Sequence, residues 1–361
     1  MGFAGLRVGL VGPLPPPAGG MANQTRQLAE LLRGEQACVI LTQSNAAYRP
    51  AFVGKLPLIR ACFRLMPYLV SLWRAAGRTD VFHVMANSGW SWHLFSAPAI
   101  FVARARGVPV VVNYRGGGAA KFLQKSHWLV RLSMRRTSAL VVPSAFLKEI
   151  FERFGMKAEI VPNIVDLSRF HPRARRPLVA AAHLVVARNL EPLYDNATAL
   201  RAFQIVHRHL AHARLSIAGS GPEETRLHEL AASLGLSDAV TFVGHLDREA
   251  MAALYRDADL VLNPSLTDNM PNSVLEAMAS GVPVVSTNVG GVPYIVEDGV
   301  TGLLVPPSDP ERMAVAVLAV LDGSSLWARL SGAGVTEVRR YAWDRVAPLL
   351  ADVYRRAIRP C

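Results

Sequence analysis

The chain is short of cysteine. Cys38, Cys62 and Cys361 are the only three in 361 residues, and none stands in a Cys-x-x-Cys pair. That scatter excludes a zinc ribbon and a disulfide framework, and so sparse a count fits a reducing compartment. Acids are scarce as well, 27 against 39 lysines and arginines, which leaves a formal charge of +12. No uncharged apolar run approaches the ~18 residues a membrane-spanning helix needs. The first apolar run is short and is followed by Pro13, Pro15, Pro16 and Pro17, unlike a secretory signal. Leu6 stands where a myristoylation signal would have Ser or Thr. The Gly-x-Gly-x-x-Gly of nicotinamide enzymes is missing, because the loop after the first apolar run reads GPLPPPAGG. An Asp-x-Asp pair does occur, Asp257-Ala258-Asp259, but it closes a helical stretch before an apolar run and reads as structural punctuation. A metal is therefore not expected.

What is present points to a globular protein with large cores. Hydrophobic residues make up 51% and charged residues 18%, and the length suits two domains better than one. The positive balance suits a polyanion or an anionic membrane surface or, equally, a basic soluble enzyme with anionic substrates. Along the chain, short apolar runs alternate with helically spaced segments. The strands are read at Leu6–Val11, Cys38–Leu41, Asp80–Met85, Pro109–Asn113, Leu140–Val142 and Glu159–Val161. Helices are read between them at Met21–Leu32, Leu56–Trp73, Ala99–Arg106, Leu129–Arg136 and Phe146–Phe154. After a Pro- and Arg-rich stretch at Phe170–Pro177 the pattern resumes from Leu184 to Pro306 and ends in a helix at Trp343–Ala357. Such alternation predicts an α/β protein with doubly wound parallel sheets. The segment Leu56–Trp73 is apolar, aromatic and basic, with Lys55, Arg74 and Arg78 beside it. It reads as an ordinary packing helix with solvated arginines or as a face resting on anionic lipid.

One stretch carries the chemistry: Asn263 to Gly291, NPSLTDNMPNSVLEAMASGVPVVSTNVGG. The acids Asp268 and Glu276 lie in it, and Asn272–Ala279 is rich in helix formers after Pro271. Asn272 or Ser273 is the expected cap, which puts Glu276 in the first turns, where a carboxylate suits the helix dipole. The loop Leu266–Pro271 leaves backbone N–H groups at the helix start, a natural anion site.

This stretch resembles the donor-binding half of retaining glycosyltransferases of family 4, group 1. In them E-x7-E lies inside a P-S-x-x-E-G-F-x-x-x-x-x-E-A-M-A-x-G-x-P-V-V run. Pro264-Ser265, Leu275 through Ala279, Gly281, Pro283-Val284-Val285 and Gly290-Gly291 fall on that pattern without a gap, with Asp268 in place of the first Glu. The resemblance implies the GT-B fold, two Rossmann-like domains facing a cleft. The domains expected are an acceptor-binding 1–170, completed by a C-terminal helix 343–361, and a donor-binding 171–342. Glu159–Asp166 resembles the family's V-x-P-N-x-V-D exit from the first domain. Gly19-Gly20 falls where the family has a Gly-Gly near the donor diphosphate. Arg115 stands where many relatives have a histidine facing the donor; an arginine there can hold a phosphate or anionic acceptor but cannot be a base at neutral pH. Arg188 matches the diphosphate arginine, whereas Leu193 and Tyr194 occupy the places of the usual lysine.

The implied activity is transfer of a sugar from a UDP- or GDP-sugar to a hydroxyl acceptor, with retention and without a metal or other cofactor. Departure of the diphosphate builds negative charge, which demands cations and N–H groups at that point. Asp268, Arg188 and Arg115 are the catalytic candidates. The expected substrate-binding residues are Gly19, Gly20, His83, Gly116, Gly219, Gly244, Asn269, Met270, Pro271, Asn272 and Glu276, the last accepting hydrogen bonds from ribose hydroxyls. The expected acceptor is a lipid-linked or polysaccharide intermediate of envelope synthesis, and the expected location the cytoplasm, peripheral to an anionic membrane. No nucleic-acid partner is expected. A sugar-nucleotide epimerase of the same architecture and a non-catalytic nucleotide-sugar-binding paralogue are the alternatives.

Overall fold

The computed structural model describes residues 2–16, 19–46, 60–172 and 181–358. Two compact units result, Met1–Asn163 with Trp343–Cys361, and Ile164–Ala342. Segment 164–170, assigned from the sequence to the first domain, packs with the second. Val165 N donates to Tyr341 O at 3.0 Å, and the Phe170 ring meets Tyr255 edge-on at 6.0 Å between centroids. The family-like motif leading to Asp166 thus ends the first unit at its asparagine, Asn163, seven residues before the expected boundary.

The first unit runs β1 (Arg7–Gly12), α1 (Gly20–Gly34), β2 (Cys38–Gln43), α2 (Arg60–Ala76), β3 (Val81–Ala86), α3 (Ala97–Ala105), β4 (Val110–Tyr114), α4 (Ala119–Met134), β5 (Ala139–Val142), α5 (Ala145–Arg153) and β6 (Glu159–Ile160). Its six strands are parallel and lie in the order β2-β1-β3-β4-β5-β6. Strands β3 and β4 are buried along their whole length, as a sheet covered by helices on both faces requires. The order reverses between β1 and β3, so the loop after β1, which leads to Gly20, lies at a switch point. Helix α4 starts ten residues before the position read from the sequence. The lysines and alanines after Gly116–Gly118 extend it backwards. The described part of α2 begins at Arg60 and continues past Pro67 to Ala76; Lys55 and Leu56–Ile59 lie outside the described residues.

The second unit runs β7 (His183–Ala187), α6 (Asn196–His209), β8 (Arg214–Ala218), α7 (Glu224–Ser233), β9 (Val240–Gly244), α8 (Arg248–Asp257), β10 (Leu260–Asn263), α9 (Asn272–Ala279), β11 (Val284–Thr287), β12 (Leu303–Val305), α10 (Pro310–Asp322) and α11 (Ser324–Val338). Its strands follow the order β12-β11-β10-β7-β8-β9, all parallel. Counted from β7 this is the dinucleotide-binding order 3-2-1-4-5-6, with its switch point between β7 and β10. Asp257 and Asp259 serve structure: Asp259 Oδ2 accepts from His183 N at 2.8 Å, and Asp257 pairs with Arg214 at 2.5 Å.

The chain then returns to the first unit as α12 (Trp343–Ile358). Its apolar stripe of Val346, Leu350, Val353 and Tyr354 is buried, and Trp343 stacks on Phe3 at 5.6 Å. Among the described residues no single helix is long and apolar enough to cross a membrane.

Candidate functional site

At the second sheet's switch point, the strand ends of β7 and β10 bring Arg188 and Asp268 together. Their side chains are only 10% and 12% exposed and form an ion pair through Arg188 Nη2 and Asp268 Oδ2. Ser265 Oγ donates to the same carboxylate oxygen at 3.2 Å, and Asn269 N donates to Oδ1 at 3.0 Å. Arg188 Nη1 reaches Ser273 Oγ, in the first turn of α9, at 3.3 Å. The guanidinium carbon lies 4.0 Å from the Tyr194 ring centroid. Tyr194, found where the family's lysine was expected, therefore holds the arginine by its face. One donor is left over: Arg188 Nε is buried and makes no hydrogen bond. A buried unpaired guanidinium N–H beside a helix start is what an anionic ligand would satisfy.

Glycines set this geometry. A Cβ on Gly219 would lie 2.1 Å from Arg188 O, and its φ of +151° is one that side chains avoid. Gly219 N also donates to Gly244 O at 2.8 Å, joining the two predicted glycines. On the other side a Cβ on Gly290 would meet Asp268 O at 2.0 Å and one on Gly291 would meet Asn269 O at 2.0 Å. Gly291 N donates to Asp268 O at 3.0 Å. The Gly290-Gly291 turn is thus a backbone buttress for the loop that carries Asp268.

Helix α9 begins at Asn272 after Pro271, with no side-chain cap. The expected cap at Asn272 or Ser273 is corrected: Pro271 takes the cap position, and Ser273 bonds to Arg188 instead. Asn269 and Met270 are buried. Met270 packs in the core with Val274 and Leu275, and Pro271 is equally buried. Asn272 is half-buried.

Glu276, also half-buried, lies one turn into α9 beside Tyr255 of α8. Desolvation pushes its carboxyl up to about 7, while the cations Arg248 and Arg169 and the Tyr255 hydroxyl pull the other way. The Tyr255 hydroxyl is buried without a hydrogen bond of ordinary geometry. The glutamate has polar company, and the carboxyl is poised to change charge near neutral pH. Sequence reasoning missed Tyr255, Arg248 and Arg169, because none carries a motif; Ser273 and Tyr194 were visible only as departures from one.

In the first unit Gly19 caps α1 and Gly20 opens it, with neither a side-chain cap nor an acid in the first turn. Gly116 follows β4; a Cβ there would meet Asn87 Oδ1 at 2.3 Å. Arg115 donates from Nε to Asn113 Oδ1 at 3.1 Å, from Nη1 to Gln24 Oε1 at 3.0 Å, and from Nη1 to Asn163 Oδ1. His83 is corrected as a substrate-facing residue. It is 0% exposed, it contacts Asn113 at 3.1 Å and Tyr354 at 2.8 Å, and burial, aided by the Arg115 charge, pushes it down to about 3. A neutral, enclosed imidazole is a strut between β3 and α12, and cannot serve as an acid or base for a ligand.

Two family models match the chain. Residues 181–323 match "Glycosyl transferases group 1" and residues 18–169 match "Glycosyltransferase Family 4". The chain is 30% identical over 295 residues to glycogen synthase of Mycobacterium tuberculosis, covering 78% of this chain and 70% of that protein. It is 37% identical over 210 residues to D-inositol 3-phosphate glycosyltransferase 2 of Catenulispora acidiphila, covering 54% of this chain but only 49% of the relative. The match thus spans about half the length of that relative. Among solved structures, sucrose-phosphate synthase from Thermosynechococcus elongatus aligns at a TM-score of 0.78 with 20% identity, over 97% of this chain and 98% of that one. Anabaena HepE in complex with UDP and glucose aligns at 0.74 with 17% identity, over 97% and 99%. These two share the GT-B fold with this chain. The chain belongs to the group 1, family 4 glycosyltransferases.

Proposed function

We propose that the chain transfers a glycosyl group from a UDP- or GDP-sugar to a hydroxyl acceptor, with retention and without a metal or other cofactor. The observation that carries this is the Arg188–Asp268 pair at the switch point, with one arginine N–H buried and unused. Arg188 and the start of α9 supply positive charge where the diphosphate departs. Asp268 holds the hydroxyls of the transferred sugar, and Glu276 accepts from the ribose. The anomeric C–O bond to the diphosphate breaks as the acceptor oxygen bonds to the same face, and the acceptor proton passes to the leaving phosphate oxygen. HepE was crystallised with UDP-glucose, which makes UDP-glucose the first donor to try. Incubation with a panel of nucleotide sugars and product analysis tests the reading. A new glycoside with retained anomeric configuration supports it; an epimerised donor, or donor binding without any product, replaces it with one of the alternatives.

The proposed acceptor is a lipid-linked or polysaccharide intermediate of envelope synthesis, met by a cytoplasmic protein resting on an anionic membrane. Support comes from the outward face of α2, where Phe63, Met66, Val70 and Trp73 are exposed at helical spacing. Arg106 lies over the Trp73 ring at 4.8 Å and Arg136 over the Phe101 ring at 5.3 Å, so α2, α3 and the end of α4 share this face. Between Glu35 and Glu149 the sequence has one acid, Asp80, and it is paired with Arg7 at 2.5 Å. Exposed apolar side chains among cations fit the boundary of an anionic bilayer.

A further inference from the structure

Arg115 stands out in the first unit because no acid among the described residues neutralises it. Its three hydrogen bonds end on the side-chain amides of Asn113, Gln24 and Asn163, and no carboxylate pairs with it among the described residues. Its Nη2 makes no hydrogen bond there. A half-buried guanidinium held only by neutral dipoles keeps its full charge; burial lowers it to about 10, still protonated at neutral pH. Taking such a charge out of water is costly unless a counter-charge completes the site.

The arginine is also held in place from behind. Asn113 Oδ1 accepts from Arg115 Nε, so the amide nitrogen of Asn113 faces His83 Nε2. That ring nitrogen must then accept, which leaves the imidazole proton on Nδ1, donating to Tyr354 Oη at 2.8 Å. One chain of hydrogen bonds runs from α12 through β3 and β4 to the guanidinium and permits a single orientation of each group. Gln24 links the same guanidinium to α1, whose uncapped, acid-free start lies one turn away. A rigid cation with open N–H groups near a helix N-terminus is preorganised for an oxyanion.

We propose that Arg115 forms a second oxyanion site, on the first unit, which takes a carboxylate or phosphate that the substrates carry outside the nucleoside diphosphate. This rests on the transferase reading above and deepens it, since it makes one substrate an acidic sugar or a phosphorylated acceptor. The anion can belong to the acceptor or to the transferred sugar, and paired substrates separate the two.

The test compares wild type with Arg115→Gln and Arg115→Lys in the full chain. One arm pairs a sugar phosphate with its free sugar as acceptor; the other pairs a nucleotide uronate with the nucleotide hexose as donor. The expected result is a wild-type kcat/KM preference for the charged member in one arm. Arg115→Gln should reduce that ratio roughly tenfold to a hundredfold, the range of a charge-assisted hydrogen bond, and Arg115→Lys should restore part of it. UDP affinity should be unchanged. No charge preference in either arm, or equal losses on charged and neutral members, overturns the proposal. Independently of turnover, the Arg115 Nε–H resonance, identified by its loss in Arg115→Lys, should move on titration with inorganic phosphate. A resonance that stays still also overturns it, whereas a moving resonance with no glycoside formed indicts only the transferase reading.

Discussion

Glu276→Gln tests the chemistry of the candidate site through its charge. Burial raises the carboxyl from 4.5 to about 7. The native state therefore keeps its proton up to about pH 7, whereas the unfolded chain loses it near pH 4.5. Between those values unfolding releases a proton, so stability contributed by this group falls as pH rises and the full penalty stands above pH 7. At about 1.4 kcal/mol per unit the ceiling is about 3.5 kcal/mol. Glu276 as a residue is half-buried, and solvent reduces the effect to about 1–2 kcal/mol. Glutamine cannot ionise, so the ligand-free variant should match wild type at pH 5 and gain that amount at pH 8. The assay is hydrogen exchange of β10–α9 peptides at the two pH values, which reads the second unit without assuming that both units unfold together. A ribose diol prefers the ionised carboxylate, so UDP binding at pH 6.5 should release a fraction of a proton in wild type and none in Glu276→Gln. Affinity should fall roughly tenfold to a hundredfold. Equal exchange at both pH values, or proton release that survives in the variant, would refute this account of Glu276.

Gly290→Ala places a methyl 2.0 Å from Asp268 O at a φ of +54°; the Asp268 loop must shift, and turnover should drop roughly a hundredfold while circular dichroism stays native. Arg188→Ala should abolish turnover and leave Asp268 buried without its partner, costing roughly 3–5 kcal/mol; adding Asp268→Asn should recover stability in urea titration but not activity. Tyr354→Phe strands the His83 Nδ1–H, at a cost of about 1–3 kcal/mol, read as a lower thermal midpoint for the first unit. On phosphatidylglycerol vesicles, Met66→Ser with Trp73→Ser should cut sedimentation roughly tenfold, and salt should act likewise; undiminished binding removes the membrane face.

The fold was legible because parallel strands buried on both faces leave unbroken apolar runs, as in Val110–Val112 and Val284–Val285. The site's frame was legible for a related reason. Gly219, Gly290 and Gly291 are demanded by backbone approach, and a backbone contact leaves a fixed residue type in the sequence. Side-chain contacts across the fold leave no such mark. Tyr255 beside Glu276, Gln24 beside Arg115 and Tyr354 on His83 join residues far apart in the chain, and Tyr354 read only as one more apolar position on an amphipathic helix. His83 misled because the sequence places it near a strand end, whereas it lies inside β3 and is covered by Tyr354 of α12. Helices α10 and α11 went unread, although Asp322-Gly323-Ser324 marks the break between them.

The return of α12 to the first unit also dictates an order of events at the ribosome. The stretch that emerges first, through Asn163, cannot close until Trp343–Ile358 has been made, whereas Ile164–Ala342 is a continuous segment. The later half can therefore finish folding first, while His83 and the arginine network behind it wait for Tyr354. A nascent chain truncated after Ala342 would display a completed second unit joined to an unsealed first one, with β3 and β4 lacking the cover of α12.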